Sequence, residues 1–405
     1  MFNAQTIKKD FPIFTTHSDL VYLDSTATSL KPQSVLDKLN EYYTQYSANV
    51  FRGIYQISEQ ATAEYENARG IVARFINSKP ENLVFVRNAT EGLNLVLYAW
   101  AQNHIQSNDE VMATLMEHHS NFVPWQQLAL QNKAIFRTIE VSDEGFLDER
   151  FLDTISKKTK LVALTYISNV VGTINPIKDL VAKIKRQNPN TVVVVDAAQA
   201  VPHMSVDVMD LGCDFLAFSG HKMLGPTGVG ALWIAPHMIS QLKPFQYGGE
   251  MIKAVYADHT EFALVPHMFE AGTPHIAGVI GFGAAVLYLQ KLGMENVRRH
   301  EKEITEYALK EIARLPYIKP IGPKVADAKG GIIAFTIEKV HAHDVSQVLD
   351  TYHIATRSGH HCAMPLHQRL GIGASARASF YIYTTKQDID LFIVGLEKVK
   401  DYFKK

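Results

Sequence analysis

Residues 192–195 are four consecutive valines, and they constrain the fold more than any other stretch of the chain. A strand in which every position is β-branched and apolar must be covered on both faces. Such strands occur in parallel sheets that carry helices on each side. The run therefore predicts an α/β protein in which ligands bind at the carboxyl ends of the strands.

Strand and helix patterns alternate around this run, as expected for a mostly parallel sheet sandwiched by helices. The predicted strands are residues 21–24, 83–86, 110–114, 134–141, 161–166, 192–195, 215–218 and 230–234. The predicted helices are residues 32–46, 59–75, 90–100, 121–130 and 180–186. We assign this large α/β domain to residues 21–276.

The pattern changes after residue 276. The predicted elements there are a helical stretch over 278–315 broken at Gly293, a strand at 332–337, a helix at 344–352, a strand at 374–383, and a terminal helix that Thr385 and Asp388 begin with a capping box. These elements predict a smaller α+β domain over residues 277–405. Residues 1–20 are expected to form an arm with a short helix that packs on the small domain.

Composition narrows the class of protein. The 405 residues include 40 Lys and Arg against 41 Asp and Glu, so neither nucleic acid nor an anionic membrane is an expected partner. The longest apolar run, residues 277–289, is shorter than the roughly 20 residues of a membrane helix. The N-terminus shows no signal-peptide pattern. The two cysteines, Cys213 and Cys362, are far apart in sequence, so we expect a reducing cytoplasm.

Residues 218–228 place one lysine, Lys222, between an apolar strand and a Gly-Pro-Thr-Gly turn. A lysine at the mouth of a buried strand is unfavourable unless it is exposed or used chemically. One interpretation is a Schiff-base lysine that holds pyridoxal phosphate (PLP), with Ser219 and His221 at the phosphate. The alternative is a surface lysine at the end of a strand.

Asp196 directly follows the valine run. A carboxylate at that strand end can pair with a protonated pyridine nitrogen, which makes the ring an electron sink. Gln199 lies one helical turn further and can donate to the ring oxygen. The alternative for Asp196 is a solvated residue at a strand end.

Two further motifs lie where strands meet helices. In residues 88–92, backbone amides and the hydroxyl of Thr90 suit a phosphate, although Thr90 can equally be an ordinary N-cap. In residues 117–121, His118 can stack on a cofactor ring and handle protons, or belong to an ordinary pair of histidines at a strand end. No Cys and His spacing matches a zinc pattern, and we expect no metal site.

Cys362 lies in residues 357–365, where glycine, polar residues and a proline indicate a loop. The neighbouring histidines and arginine can lower the pKa of the thiol, and the thiolate is the nucleophile. Cys213, by contrast, leads into a buried strand and is expected to be inert. Arg377 lies among small residues that leave room for it to bind a carboxylate through two bonds, unless it is a surface-strand arginine.

Together these motifs resemble the PLP-dependent cysteine desulfurases of fold type I, aminotransferase class V, and in particular the SufS-type subgroup, which includes selenocysteine lyases. The resemblance spans nearly the whole chain. Its most specific parts are residues 219–222 with 225–228 and residues 357–366, which read Ser-Gly-His-Lys, Gly-Pro-Thr-Gly and Arg-Ser-Gly-His-His-Cys-Ala-Met-Pro-Leu.

The resemblance implies a role for each of these residues. Lys222 forms the Schiff base and transfers protons, His118 stacks on the ring, and Cys362 takes the sulfur. The implied cofactor-binding residues are Lys222, Asp196, Gln199, His118, Thr90, Ala89, Ser219, His221 and Thr273. Thr273 is implied to reach the phosphate of the other subunit of a homodimer. The implied substrate-binding residues are Arg377, Asn169 and Arg357.

Five positions depart from the family pattern. The family commonly has histidine at Phe51 and Tyr55, asparagine at Thr384, threonine at Ser358 and a hydroxyl residue at Ala89. None of these departures removes a catalytic group.

The implied reaction converts L-cysteine to L-alanine and leaves a persulfide on Cys362. A SufE- or SufU-type acceptor protein would then carry the sulfur to iron–sulfur cluster assembly. Three alternatives stay open at this point: a lyase for L-selenocysteine, another class V enzyme such as a kynureninase-like hydrolase, and a PLP-binding protein without turnover.

Overall fold

The computed structural model describes residues 2–403. Its α-helices are α1 Ala4–Lys8, α2 Ile13–Thr16, α3 Gln33–Gln45, α4 Gln56–Phe75, α5 Ala89–Val96, α6 Gln102–His104, α7 Val123–Asn132, α8 Ile177–Gln187, α9 Val208–Leu211, α10 Ile276–Leu292, α11 Met294–Ile312, α12 Ala342–Asp350, α13 Met364–Arg369 and α14 Lys386–Phe403. A π-helical segment, Leu97–Ala101, joins α5 to α6.

The strands form one large sheet, one smaller sheet and two short pairs. They are β1 Val21–Tyr22, β2 Leu83–Val86, β3 Glu110–Thr114, β4 Ile135–Ile139, β5 Thr159–Thr165, β6 Val192–Asp196, β7 Phe215–Ser219, β8 Gly230–Ile234, β9 Ile252–Val255, β10 Thr260–Phe262, β11 Ile318–Ile321, β12 Ile332–Ile337, β13 Ile354–Ala355, β14 Arg357–Gly359 and β15 Ser375–Ser379.

The large sheet has the strand order β2-β8-β7-β6-β5-β3-β4. Neighbouring strands from β7 to β4 run parallel, and β8 alone runs against both of its neighbours. The valine strand β6 lies in the middle and is buried at every position. The predicted α/β fold with a mostly parallel sheet is therefore confirmed.

Helices cover the large sheet, and small residues let two of these helices, α4 and α10, approach each other closely. A Cβ atom on Gly283 of α10 would lie 2.9 Å from the Cβ atom of Ala68 in α4, so only glycine fits this crossing. Within residues 2–403, no single helix is long and apolar enough to cross a membrane. Only α10 and α11 taken together, meeting at 75°, satisfy the length and composition limits.

The C-terminal part has its own antiparallel sheet, β11-β12-β15-β14, and a separate apolar core with α11, α12 and α14. The predicted break at Gly293 and the strand at 332–337 are confirmed. The capping box is also present, because Thr385 N donates to Asp388 Oδ2 at 2.8 Å and Asp388 N to Thr385 Oγ1 at 3.1 Å.

The N-terminal residues contact the C-terminal part. Lys8 Nζ lies 2.9 Å from Asp388 Oδ1, and the ring of Phe11 packs on the ring of Tyr383. Strand β1 pairs with β13, so residues 21–22 join the C-terminal part through their hydrogen bonds. The division into 1–20, 21–276 and 277–405 stays a prediction.

Several predicted elements differ in extent, among them the strands predicted over 21–24 and 134–141, which span Val21–Tyr22 and Ile135–Ile139. The strand predicted over 374–383 ends at Ser379, because Thr384 N donates to Tyr381 O and closes a turn. The loop predicted over 357–365 is shorter than expected. Arg357–Gly359 pairs with β15 as strand β14, and α13 begins at Met364.

Candidate active site

One cavity of about 280 Å³ lies where the carboxyl ends of β5, β6 and β7 face the C-terminal part of the chain. All of the predicted site residues except Thr273 line it: Ala89, Thr90, His118, Asn169, Asp196, Gln199, Ser219, His221, Lys222, Arg357, Cys362 and Arg377. Residues more than 270 positions apart in sequence therefore share one site.

Lys222 ends a short helical turn, Gly220–Lys222, that directly follows β7. Burial lowers the pKa of its amine, against the opposing attraction of Asp196. Asp196 is the last residue of β6, and its Oδ1 accepts from Ala198 N at 2.9 Å. Burial raises the pKa of this carboxyl, while Lys222 opposes the shift. Lys222 is not a surface lysine, and Asp196 is not solvated.

Gln199 has one satisfied and one unsatisfied amide atom in the cavity wall. Its Nε2 donates to Thr26 O at 2.8 Å, and its Oε1 is buried without a hydrogen-bond partner. Buried polar atoms in native proteins are nearly always paired. The orphaned acceptor Oε1, the buried amine and the buried carboxyl group fit PLP, whereas Nε2, the predicted donor to the ring oxygen, is engaged by Thr26 O.

The predicted phosphate end of the cavity is formed by the start of α5 and the end of β7. Ala89 N donates to Ser219 Oγ at 2.9 Å, and Thr90 Oγ1 lies 2.7 Å from Ser120 Oγ. Asn88 is the N-cap of α5, because its side chain accepts from Glu91 N at 3.1 Å. The alternative that Thr90 is an ordinary N-cap is therefore wrong.

Lys31 is a cation beside this end that the sequence analysis missed. Its Nζ donates to His221 O at 3.2 Å and also to Ser29 O. Burial lowers the pKa of this amine to about 8. In the sequence nothing distinguishes Lys31 from a surface lysine, because its partner at the cavity, His221, lies 190 residues away.

His118 is held as a neutral ring. Its Nδ1 accepts from Ser120 N at 3.1 Å and lies 2.9 Å from Ser120 Oγ. Burial lowers the pKa of His118 to about 3, and Lys222 adds to this shift. Because Nδ1 accepts from the backbone, the ring proton belongs on Nε2.

Glu117 directly precedes His118, and the sequence analysis gave it no role. Its carboxyl group is fully buried and accepts from Thr165 N at 2.7 Å, Asn121 Nδ2 at 2.6 Å and Thr114 Oγ1 at 2.7 Å. Burial raises its pKa to about 8, although these three donors oppose the shift. Glu117 thereby ties together the ends of β3 and β5 and the turn that carries His118.

Arg377 is buried with only 2% of its surface exposed, so it is not a surface-strand arginine. Its Nη1 donates to Asn169 O at 3.0 Å and its Nη2 to Asp24 Oδ1 at 3.1 Å, while its Nε is buried without a partner. Burial lowers its pKa to about 10. Arg357, on the strand next to that of Arg377, also pairs with Asp24. Asp24 is a third residue that the sequence analysis missed.

Cys362 is exposed in the short loop between β14 and α13, and it borders the cavity. Cys213 is buried, and burial raises the pKa of its thiol far above the usual range. The contrast between a reachable and an enclosed thiol agrees with the sequence analysis.

Thr273 does not reach this cavity within the single chain. It lines a second cavity of about 320 Å³ together with Glu270, Gly272 and His275. Phe51, one of the departures from the family pattern, packs on Tyr65 and His267 near that second cavity.

No group of three or more His, Cys, Asp and Glu side chains within residues 2–403 is arranged to hold a metal ion.

The sequence profile of the family Aminotransferase class-V matches residues 21–392. The chain belongs to the aminotransferase class-V family. A probable cysteine desulfurase of Streptomyces coelicolor is 46% identical over 100% of this chain and 98% of its own length. A cysteine desulfurase of Haloferax volcanii is 42% identical over 99% of this chain and 98% of its own length.

Two solved structures of family members are similar over their full length. The apo structure of cysteine desulfurase from Thermococcus onnurineus has a TM-score of 0.94 at 38% identity, and the alignment covers 98% of each chain. The cysteine desulfurase CsdA from Escherichia coli, in an S-sulfonic acid form, has a TM-score of 0.92 at 32% identity with 99% of each chain covered.

Proposed function

We propose that this aminotransferase class-V member is a PLP-dependent cysteine desulfurase. It converts L-cysteine to L-alanine and transfers the sulfur to Cys362, and its general role is to supply sulfur for iron–sulfur clusters. The observation that carries the proposal is the meeting of a buried amine, Lys222, and a reachable thiol, Cys362, in one cavity. Relatives that match this chain over its full length are named cysteine desulfurases.

The cavity residues that would hold PLP are Lys222 at its aldehyde carbon, Asp196 at its ring nitrogen, Gln199 at its ring oxygen, His118 on its ring face, and Ala89, Thr90, Ser219 and His221 at its phosphate. When bound, PLP supplies an electron sink for the α-carbon of an amino acid. A buried carboxylate such as Asp196 keeps the ring nitrogen protonated.

Lys222 is the proton carrier of the site. Burial lowers the pKa of its amine, so a larger fraction of the amine is neutral near pH 7 and can accept the α-proton of the substrate. The same amine returns a proton when alanine forms.

Arg377 binds the substrate carboxylate. Two of its nitrogens are engaged by Asn169 and Asp24, while its Nε has no partner and is available. A guanidinium held on two sides is pre-oriented, which reduces the entropy lost on binding. Asn169 and Arg357 flank it.

Cys362 takes the sulfur. Its thiolate attacks the sulfur of the substrate, a sulfur–sulfur bond forms, and the bond between sulfur and the β-carbon breaks with its electron pair staying on carbon. Protonation of that carbon gives alanine, so atoms and charge balance. The persulfide then needs a second thiol to accept its outer sulfur.

We infer that this thiol belongs to an acceptor protein of the SufE or SufU type, as in the SufS-type subgroup whose motifs the chain resembles. L-selenocysteine is a second candidate substrate, because its selenium lies where the cysteine sulfur does. The two free cysteines, one of them exposed, support a reducing cytoplasm as the location.

We also infer a homodimer. Thr273 lies apart from the first cavity, which supports its predicted role at the phosphate of a second subunit. Ile54 and Leu264 are large apolar side chains that are 95% and 86% exposed in the single chain.

The test is mass spectrometry of the peptide that carries Cys362 after incubation with L-cysteine. One added sulfur atom in the wild type, and none in Lys222→Ala, is the expected result. If PLP is bound through Lys222 and no sulfur is added, the enzyme acts on another substrate and Cys362 is not its nucleophile. Comparing L-cysteine with L-selenocysteine under the same conditions decides between the two substrates.

A further inference from the structure

The loop that carries Cys362 has an unfavourable backbone. His361 has a φ of 49° and Cys362 a φ of 57°, so two consecutive residues with side chains lie in the left-handed region. Such conformations persist only where the surrounding contacts impose them. The loop therefore needs anchors on each side of the thiol.

The anchors on the N-terminal side are visible at His361. Asn169 Nδ2 donates to His361 O at 2.7 Å, and His361 Nε2 lies 3.1 Å from both the carbonyl and the hydroxyl oxygen of Ser375. None of these contacts fixes the chain at or after Cys362.

After Cys362, Ala363 N donates to His360 O at 2.8 Å in a local turn, and Ala363 O lies 3.0 Å from His367 Nδ1. His119 supplies two further anchors, one at Cys362 and one after it. Its backbone N–H donates to Cys362 O at 2.7 Å. Its ring Nε2 accepts from Met364 N at 3.1 Å. Met364 is the first residue of α13, whose N–H has no partner within its own helix. The backbone and the ring of His119 thus hold the chain on both sides of Ala363.

We propose that His119 is a positioning residue for the Cys362 thiol, distinct in role from its neighbour His118. Both belong to the same turn after β3, where the two rings lie 6.3 Å apart. His118 borders the cavity, whereas His119 does not. The turn thereby couples the ring that faces the cofactor site to the loop that presents the nucleophile. This role rests on the proposed function.

The ring of His119 must be neutral to accept from Met364 N. Its environment favours this state, because burial and the neighbouring His360 both lower its pKa. The proton then belongs on Nδ1, which leaves the Nε2 lone pair for the backbone.

The test compares His119→Leu with His119→Gln. Leucine fills similar space without an acceptor, whereas the glutamine amide oxygen can take the place of Nε2. We expect His119→Leu to slow persulfide formation on Cys362 by about ten- to a hundredfold, since a misplacement of about 1 Å has an effect of that size. We expect His119→Gln to restore most of the rate.

Two further measurements separate positioning from general damage. The change in the cofactor absorbance on adding L-cysteine should be the same in all three proteins, because Lys222 and Asp196 are untouched. The thermal unfolding midpoint should be similar for the two variants. A wild-type rate in His119→Leu, equal losses in both variants, or a lost absorbance change would each overturn the proposal.

Hydrogen exchange of the peptide over residues 360–366 tests the anchor without any turnover. We expect faster exchange in His119→Leu than in the wild type or His119→Gln, and unchanged exchange would overturn the proposal. If the wild type forms no persulfide, the proposed function fails, while this measurement still decides whether His119 holds the loop.

Discussion

Asp24 Oδ1 lies 3.1 Å from Arg377 Nη2, and Oδ2 of the same carboxylate lies 2.9 Å from Arg357 Nη2. Asp24 lies two residues after β1 and more than 330 residues before either arginine in the sequence. One acidic group therefore offsets two guanidinium groups, of which only Arg377 is fully buried. Their net positive charge remains available for the carboxylate of a substrate.

Removing this carboxylate should destabilise the protein. Asp24→Asn leaves Arg377 buried with only a neutral oxygen to contact, and an uncompensated buried charge costs roughly 3 kcal/mol. We expect the free energy of unfolding, measured by urea denaturation, to fall by about that amount. Asp19→Asn is the matched control, because Asp19 pairs with His353 in an exposed position and such pairs contribute less than about 1 kcal/mol. Equal effects of the two substitutions would contradict the prediction.

Lys329 is a buried lysine that pairs with no carboxylate within residues 2–403. Its Nζ donates to Val171 O and, at 3.2 Å, to Ile321 O. It thereby joins the end of β11, in the antiparallel sheet, to the segment that follows Asn169. Burial lowers the pKa of this amine to about 7.

This shift predicts a pH-dependent stability. Between pH 7 and the ordinary lysine pKa of 10.5, the unfolded chain binds a proton that the folded chain does not. The free energy of unfolding therefore rises with pH across this window, by about 1.4 kcal/mol per pH unit. This gain is lost as the pH falls toward 7.

Lys329→Met should remove that slope. Urea denaturation at several pH values between 7 and 10 should show that the free energy of unfolding of the wild type rises relative to that of the variant as the pH increases. Lys324→Met, at an exposed position nearby, should leave the slope of the wild type unchanged. Parallel pH profiles for the wild type and Lys329→Met would contradict a depressed pKa of Lys329.

The elements that sequence reasoning located well are those whose pattern is local. The valine run required a strand buried on both faces, and the structure places it at the centre of the large sheet. The motif around Lys222 could be recognised because its residues are close together in the sequence. The fold brings Lys222 to Asp196 because β6 and β7 are neighbours. Parallel strands end at one edge, so residues that follow them meet.

The residues that sequence reasoning missed act through distant partners. Asp24 gains its role from two arginines in the C-terminal sheet, and Lys31 from the carbonyl of His221. Glu117 was visible in the motif, and its donors Thr114 and Asn121 are near in sequence, but its third donor, Thr165 N, comes from β5. Such roles depend on tertiary contacts, which residue type and spacing do not encode.

Glu270 forms a second buried ion pair, which supports the segment carrying Thr273. Its two oxygens accept from Arg69 Nη1 at 2.6 Å and Nη2 at 2.8 Å, and Oε1 also accepts from Phe85 N at 2.7 Å. Charge-assisted bidentate pairs of this kind are strong and geometrically specific. The pair fixes the start of residues 270–275 against β2.

Glu270→Gln should weaken both folding and the predicted dimer. The buried Arg69 would keep only Glu66 as its countercharge and lose its charge-assisted bonds to Glu270, so we expect the free energy of unfolding to fall by roughly 2 kcal/mol. If Thr273 contributes to a site across a dimer, analytical ultracentrifugation should also show more monomer than in the wild type. Glu261→Gln is the control, because the pair of Glu261 with Lys253 is exposed. A loss no larger than that of the control would contradict the prediction.

The two cysteines should differ sharply in their reaction with iodoacetamide. Cys362 is exposed beside the cavity, whereas Cys213 is enclosed and burial raises the pKa of its thiol. Only the thiolate is alkylated, so Cys213 needs local unfolding before it reacts. Mass spectrometry of the native protein at pH 8 should show one added carbamidomethyl group, on Cys362, and a second group only after denaturation in urea. Cys362→Ala should remain unlabelled in the native state, and rapid native labelling of that variant would mean that Cys213 is accessible.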